Sequence, residues 1–344
     1  MPIEEKTLAV VIPAYQAEGS IRDVIQRIPW YVDWIILTDD ASTDGTAAAV
    51  KKISDPRICF LSHERNTGVG GAMVTGFKKA IELQADLIAK IDADGQMDPA
   101  YLNRFAFAAV RFHCDYVKAN RFGHIEQLPA MPRIRLMGNL LLTFLTKFAS
   151  GYWNVFDPQN GYVMITRKML KRLDLERLDR SYFFEDSILI NLNIMKARIA
   201  EIYIPAKYEG GKSSMRLSRI ILTFPGKLLC GYLYRVYHKY IFRSLSPFAL
   251  LLFFGIISIT WGTVWGSMAW WSSYATQIPA TTGTVILALL PLLLGWSSLL
   301  QALVLDVHDA GPCLLFDYDD EALQGPEKKE TQAEDHSCSA EGVS

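Results

Sequence analysis

Two acidic clusters hold the side chains best suited to chemistry in this chain: Asp39-Asp40-Ala41-Ser42-Thr43-Asp44-Gly45-Thr46 and Asp92-Ala93-Asp94-Gly95-Gln96. Separated by one residue, Asp92 and Asp94 point the same way from an extended backbone and can face one ligand together. A diphosphate would bring more negative charge to that place, and the carboxylates would repel it unless a divalent cation sat between them. Mg²⁺ or Mn²⁺ would take oxygen ligands from Asp94, from Gln96 or Asp92, and from the phosphates, then stabilise the leaving nucleoside diphosphate as a Lewis acid. A lone D-x-D is usually a solvated turn. Here an apolar run precedes it and a second acidic cluster accompanies it, which favours the site.

The elements that must position these acids are readable as short β-branched runs. LAVVI (8–12), WIILT (34–38), ICFLS (58–62) and LIAKI (87–91) predict buried strands, with helical periodicity after Ser20, Asp44, Gly70 and Pro99. That alternation is α/β with a mainly parallel, Rossmann-like sheet, whose ligands belong at the carboxyl ends of the strands. The acidic clusters follow the second and fourth runs. NTGVGG (66–71) invites a dinucleotide-fingerprint reading, but it follows the third strand and Met73 occupies the place of the final glycine. A helix start bordering the site, or a tightly packed turn, fits it better.

In order, Val11-Ile12-Pro13-Ala14-Tyr15, Asp39-Asp40-x-Ser42-Thr43-Asp44-Gly45-Thr46, Asn66-x-Gly68-x-Gly70 and Asp92-x-Asp94-Gly95-Gln96-x-Asp98-Pro99 resemble the family 2 glycosyltransferases of the GT-A fold. The resemblance is strongest to the branch of dolichol-phosphate mannose synthase and bacterial polyprenyl-phosphate glycosyltransferases, and covers roughly residues 7–215. It implies that Pro13, Tyr15, Glu18, Asp40 and Asp92 line the nucleotide of a nucleotide-sugar, while Asp94 and Gln96 hold the metal. One departure is visible: Gln16-Ala17 stands where Asn-Glu is common in the family, with Glu18 one position on.

Downstream, YVKANRF places Arg121 after another strand, and PRIRLMGN supplies Arg133, Arg135 and Asn139 before an apolar helix. Arginine suits an anionic acceptor. In the lipid-phosphate branch, arginines at these places engage the acceptor phosphate, and Lys212-Ser213 is similar to a basic-serine motif that closes the same site. Lys212-Ser213 reads equally well as the start of a surface helix. Asp157-Pro158-Gln159-Asn160-Gly161 and Phe184-Glu185-Asp186 are similar to the family's acidic segments near the acceptor. A hydroxyl acceptor would need a general base, for which Asp157, Glu185 or Asp186 could serve. A lipid phosphate is already ionised and needs none; these acids would then orient sugar hydroxyls or the arginines. As plain structure, they are a turn aspartate and an acid pair at a helix start.

Residues 244–305 contain no Asp, Glu, Lys, Arg or His. Two spans, 247–271 and 283–305, are each long enough to cross about 30 Å of hydrocarbon as a helix, and Trp270, Trp271 and Tyr274 sit where an aromatic belt is expected. Buried core helices are the alternative. The formal net charge of −1 hides an asymmetry, because residues 306–344 carry 11 acidic and 2 basic side chains, leaving 33 basic and 25 acidic before them. From Lys212 to Arg243 there are seven Lys or Arg and no acid, which predicts amphipathic helices on anionic headgroups or a basic face packed on the domain. Positive-inside then places both termini in the cytoplasm. The N-terminus lacks the basic region and apolar core of a signal peptide. The five cysteines show no metal spacing and read as reduced.

The organisation expected is a catalytic domain at 1–211, basic juxtamembrane helices at 212–246, a membrane hairpin, and an acidic, disordered tail at 306–344. The function expected is metal-dependent, inverting transfer from a UDP- or GDP-sugar to polyprenyl phosphate at the membrane. No nucleic acid enters as a partner, and the hairpin offers surface for a homo-oligomer. The rival acceptor is a glycan hydroxyl, although the Q-x-x-R-W of processive synthases is absent. A membrane-tethered scaffold that has lost activity is the third reading, and the retained Asp92, Asp94 and Gln96 argue against it.

Overall fold

Aliphatic and β-branched runs, largely buried, become the strands of one sheet in the computed structural model, which describes residues 6–121, 133–205, 217–242, 245–311 and 313–317. The first half alternates β1 (Leu8–Ala14), α1 (Ile21–Gln26), β2 (Trp34–Asp39), α2 (Thr46–Lys51), β3 (Ile58–Ser62), α3 (Val69–Glu82) and β4 (Leu87–Lys90). A 3-10 turn at Pro99–Tyr101, capped by the Asp98 side chain, leads into α4 (Leu102–Arg111) and β5 (Tyr116–Asn120). Then come α5 (Arg133–Ser150), β6 (Val163–Thr166), α6 (Arg167–Leu170), α7 (Phe184–Ile194) and β7 (Ile199–Tyr203). The strand order is β3-β2-β1-β4-β6-β5-β7, with β6 antiparallel to its neighbours and the other pairs parallel. The carboxyl ends of β1, β2, β4 and β5 therefore share one edge, joined there by the chain entering β6. One face buries Val10, Ile12, Phe105 and Val117; the other buries Val11, Phe77, Ile165 and Ile188.

α8 (Leu217–Val236) continues as a π-helical turn, Tyr237–Phe242. Phe224 and Leu228 pack against Phe183 and Ile190, so the domain-packed reading of the basic segment holds for one face. The opposite face leaves Leu229, Leu233 and Tyr237 exposed. Its described cations are used internally: Lys227 pairs with Asp179 at 2.6 Å and Lys239 with Asp309 at 2.9 Å.

The hairpin is α9 (Pro247–Thr276) and α10 (Thr282–His308), each extending beyond the span expected for it. Ser246 caps α9 through the Ala249 amide and Thr281 caps α10 through the Thr284 amide. At 1.5 Å per residue they measure about 45 and 40 Å, long enough to cross a membrane. Their most apolar windows are only 28% and 11% buried, so they do not serve as core helices within this chain. The helices touch through small residues: a Cβ on Gly255 would lie 3.0 Å from the Gly295 carbonyl, and one on Gly295 would lie 2.9 Å from that of Gly255.

Where α10 returns to the domain, Asp306 receives both Nη groups of buried Arg235, at 2.6 and 3.0 Å, the Tyr240 hydroxyl at 2.6 Å and the Trp153 indole at 3.2 Å. Arg235 also donates to the Ala149 and Phe148 carbonyls at the end of α5. Gly151, at φ +74°, gives it room, since a Cβ there would stand 2.3 Å from Nη1.

The chain beyond 306 departs from the expected tail. Cys313–Asp317 form β8, parallel to β7 at the sheet's edge, with Phe316 stacked on Phe112 at 4.7 Å. CLLF (313–316) is a lone four-residue apolar run in an otherwise acidic, polar stretch, and pairing with β7 makes it a strand. Cys59, Cys114, Cys230 and Cys313 are free thiols.

Candidate active site

The loops after β1 and β2 are stitched together before any ligand is considered. Gln16 and Ala17 amides donate to Ser42 and Thr46 hydroxyls, both at 2.9 Å, and the Gly45 amide donates to Glu18 Oε2 at 3.0 Å. Gln16 and Ala41 both adopt positive φ, 53° and 59°, unfavourable for residues with a Cβ, and such strain gathers at functional sites. Pro13 and Ala14 are the last two residues of β1, and Tyr15 beyond them stands exposed.

Asp40 is turned inward. Its Oδ1 accepts from the Thr67 amide at 2.9 Å and hydroxyl at 2.8 Å and lies 2.7 Å from His63 Nδ1, while Oδ2 accepts from the Gly68 amide at 2.8 Å. Burial opposes ionisation, but these hydrogen bonds prevail and hold the carboxyl below its ordinary value. Asp40 thereby fixes the NTGVGG turn, whose Gly70 amide donates to the Arg180 carbonyl. The segment is a helix start, since α3 begins at Val69, and also a tightly packed turn, since a Cβ on Gly70 would stand 2.1 Å from the Asp179 carbonyl.

Asp92 and Asp94 follow β4. Asp94 Oδ1 accepts a backbone bond from Gln96 at 3.0 Å, and no side chain among the described residues donates to it. Burial, helped by the Asp92 charge, raises its carboxyl above the ordinary value. Asp92 Oδ1 meets Lys90 Nζ at 3.0 Å, and Lys90 also reaches Glu185 Oε1 at 2.8 Å. Burial works against the Lys90 charge, yet the two carboxylates outweigh it and hold the ammonium above its usual range.

Register explains where these charges lie. Lys90 and Lys118 both pair with Val163, and Lys118 pairs with Glu201, so one row across β4, β6, β5 and β7 reads Lys90, Val163, Lys118, Glu201. Directly paired residues share a face, and α7 covers this one. Burial pulls the Lys118 ammonium down to about 8 despite its acidic neighbours. Glu201 accepts from the Phe156 amide at 2.9 Å, the Asp157 amide at 3.1 Å and Asn120 at 3.1 Å. Lys90, Lys118 and Glu201 were not expected at the site. A lysine inside an otherwise buried strand was the available signal, because an ammonium is retained there only with a partner.

At the end of β5, Arg121 grips Asp157 by two bonds, Nε to Oδ2 at 2.8 Å and Nη2 to Oδ1 at 3.0 Å, with its side chain 40% exposed. Burial alone would raise Asp157; Arg121 holds it below the ordinary range. Asn160 adds a further bond to Oδ2 at 3.2 Å. Glu185 and Asp186, adjacent in α7, face different surroundings. Glu185 joins the Lys90 cluster, whereas Asp186 is fully buried and accepts from Thr146 at 2.8 Å and Gln159 at 2.9 Å. Burial pushes Asp186 up to about 7, and its Oδ2 has no partner among the described residues. Arg133 and Arg135 belong to the first turns of α5 by backbone, with side chains outside the described set, as is that of Asn139; Lys212 and Ser213 lie outside the described residues.

Among the described residues no group of three or more His, Cys, Asp or Glu forms a ready metal cage. Asp94 and Asp92, with Gln96 beside them, form a sparse oxygen set instead. That suits Mg²⁺ or Mn²⁺ arriving with substrate phosphates, since such ions are often held by one or two carboxylates plus phosphate. The raised Asp94 carboxyl is a group that a cation would relieve.

Residues 9–174 match the model of glycosyl transferase family 2. UDP-N-acetylglucosamine–dolichyl-phosphate N-acetylglucosaminyltransferase of Methanococcus voltae is 31% identical over 219 residues, covering 59% of this chain and 87% of that protein. Undecaprenyl-phosphate mannosyltransferase of Micrococcus luteus is 28% identical over 201 residues, covering 57% and 79% respectively. The crystal structure of a mycobacterial protein matches with a TM-score of 0.50 at 18% identity, over 67% of this chain and 75% of that one. That last likeness is one of fold.

Proposed function

The chain belongs to the glycosyltransferases of family 2, with a mainly parallel GT-A-like sheet, and from that premise we propose that it glycosylates a polyprenyl phosphate from a UDP- or GDP-sugar. The observation that carries this reading is the Arg121–Asp157 pair at the same sheet end as Asp92 and Asp94. An anchored cation thus stands two strands from the donor carboxylates, about 10 Å in strand spacing. The acceptors named for the two relatives, dolichyl and undecaprenyl phosphate, are of the matching charge.

In this mechanism the loops after β1 and β2, with Pro13, Tyr15, Glu18 and the Asp40-anchored turn, seat the nucleotide. Asp92 and Asp94 face the diphosphate. A divalent cation held by Asp94, Asp92 and Gln96 would neutralise charge developing on the leaving nucleoside diphosphate. Arg121, oriented by Asp157, positions the acceptor phosphate so that an oxygen approaches the anomeric carbon opposite the departing group, and inversion follows. Arg133, Arg135, Lys212 and Ser213 complete the acceptor side. The phosphate is ionised at neutral pH, so no base is required, and Asp157 and Asp186 are engaged elsewhere in any case. Glu185 orients the sugar side of the cleft.

Both ends of the hairpin adjoin the catalytic domain, so they belong on one side of a bilayer, and positive-inside makes that side cytoplasmic. The test incubates detergent-purified protein with labelled UDP- and GDP-sugars, Mg²⁺ or Mn²⁺ and polyprenyl phosphate, with Asp94→Ala as control. Metal-dependent and Asp94-dependent lipid labelling supports the reading and identifies the donor. Labelled glycan without lipid product moves the acceptor to a hydroxyl, and absence of nucleotide binding favours an inactive scaffold.

A further inference from the structure

Lys90 is an ammonium in the middle of a sheet, two residues ahead of Asp92. Asp92 leaves the end of its own strand and Glu185 comes from α7, yet both carboxylates converge on Nζ, at 3.0 and 2.8 Å. Without that nitrogen the two acids would face each other unscreened in a largely buried place, and like charges there disfavour joint ionisation. A third segment is shaped around the same atom. A Cβ on Gly161 would stand 2.4 Å from Lys90 Nζ, 3.3 Å from Asp92 Oδ2 and 3.4 Å from Glu185 Oε1. A stability role alone would not require the nitrogen to be shared with a carboxylate of the donor loop.

We propose that Lys90 is a positioning residue of the donor site: it holds Asp92 by one oxygen, offsets Glu185, and so fixes the direction in which Asp92 meets a nucleoside diphosphate and its divalent cation. This deepens the donor reading above and rests on it. Lys90 itself does not touch the transferred sugar. Its removal leaves two uncompensated carboxylates where an anionic ligand must enter, so nucleotide affinity falls; removing one of those carboxylates as well relieves the repulsion. Crowding the nitrogen from the Gly161 side moves it without changing any charge.

The experiment titrates UDP and GDP, each with Mn²⁺, into full-length detergent-purified protein by calorimetry, with thermal unfolding to report the fold. Lys90→Met is expected to weaken binding of the preferred nucleotide about tenfold or more, and Lys90→Met/Glu185→Gln to recover it to within about threefold of the parent chain. Gly161→Ala is expected to weaken it about threefold to tenfold, and it carries the test if Lys90→Met does not fold. Unchanged affinity in Lys90→Met or, where that variant does not fold, in Gly161→Ala overturns the proposal. So does a double variant that is folded but no tighter than the single one. A parent chain that binds neither nucleotide overturns the donor reading itself.

Discussion

The acids at the two ends of the cleft are held in opposite ways. On the β4 side, Asp94 accepts one bond among the described residues, from its own loop, and is destabilised as an anion by burial and Asp92. On the β5 side, Asp157 has both oxygens occupied by Arg121 and Asn160 and is stabilised as an anion. The first arrangement suits a charge supplied from outside the chain, and the second is complete as built.

The sharpest way to break this contrast is to remove one acid from each side. Asp94→Ala is expected to lower kcat/KM on the order of a thousandfold, about 4 kcal/mol of barrier, while leaving the unfolding midpoint nearly unchanged. Asp157→Ala should reverse the pattern, costing about 3 kcal/mol of stability because the Asn160 side chain and the Arg121 amide lose a buried acceptor, while the half-exposed Arg121 guanidinium can turn to water. Denaturant titration with acceptor KM measured in parallel separates the two. If Asp94→Ala unfolds the protein and Asp157→Ala does not, the contrast is wrong.

Asp306→Ala extends the positioning side to the hairpin. Buried Arg235 would be stranded, at a cost of about 3 kcal/mol by the same reasoning, read as a lower thermal midpoint in detergent. Asp186 provides a smaller, pH-dependent case. Its pKa is raised to about 7 from an ordinary 3.8, so the folded state holds the proton more tightly than the unfolded chain. Its contribution to stability therefore falls as pH rises from about 4 to about 7 and is level above that. Asp186→Asn should remove this slope, so that the variant gains stability relative to the parent chain as pH rises from about 4 to about 8, measured as the difference between variant and parent midpoints. The smallest effect is expected at Gly295→Ala, about 1 kcal/mol, from separating α9 and α10.

Legibility followed locality. The first four strands, the D-x-D and the uncharged hairpin are contiguous patterns, and the sheet class followed from them. Lys90 and Lys118 were hidden inside runs read for their apolar residues, and their partners lie in α7, in β7 and in the chain entering β6. Arg235 and Asp306 are 71 positions apart, and neither has a local pattern that names the other. Asp40 was readable as an acid at a strand end, but its inward direction depends on the turn at 63–68. The basic segment before the hairpin had an apt composition, and only packing shows which of its cations are spent on Asp179, Asp306 and Asp309.

The return strand β8 gives the order of synthesis a physical meaning. Every motif residue of the cleft precedes the hairpin, yet the strand that covers the β7 edge is translated after both apolar helices. A nascent chain therefore carries a nearly finished sheet with one unpaired border, the kind of surface that recruits other strands. Completion of that border waits on the helices, so a chain whose hairpin is mishandled also keeps its sheet open, and a fault in the anchor becomes visible on the enzyme.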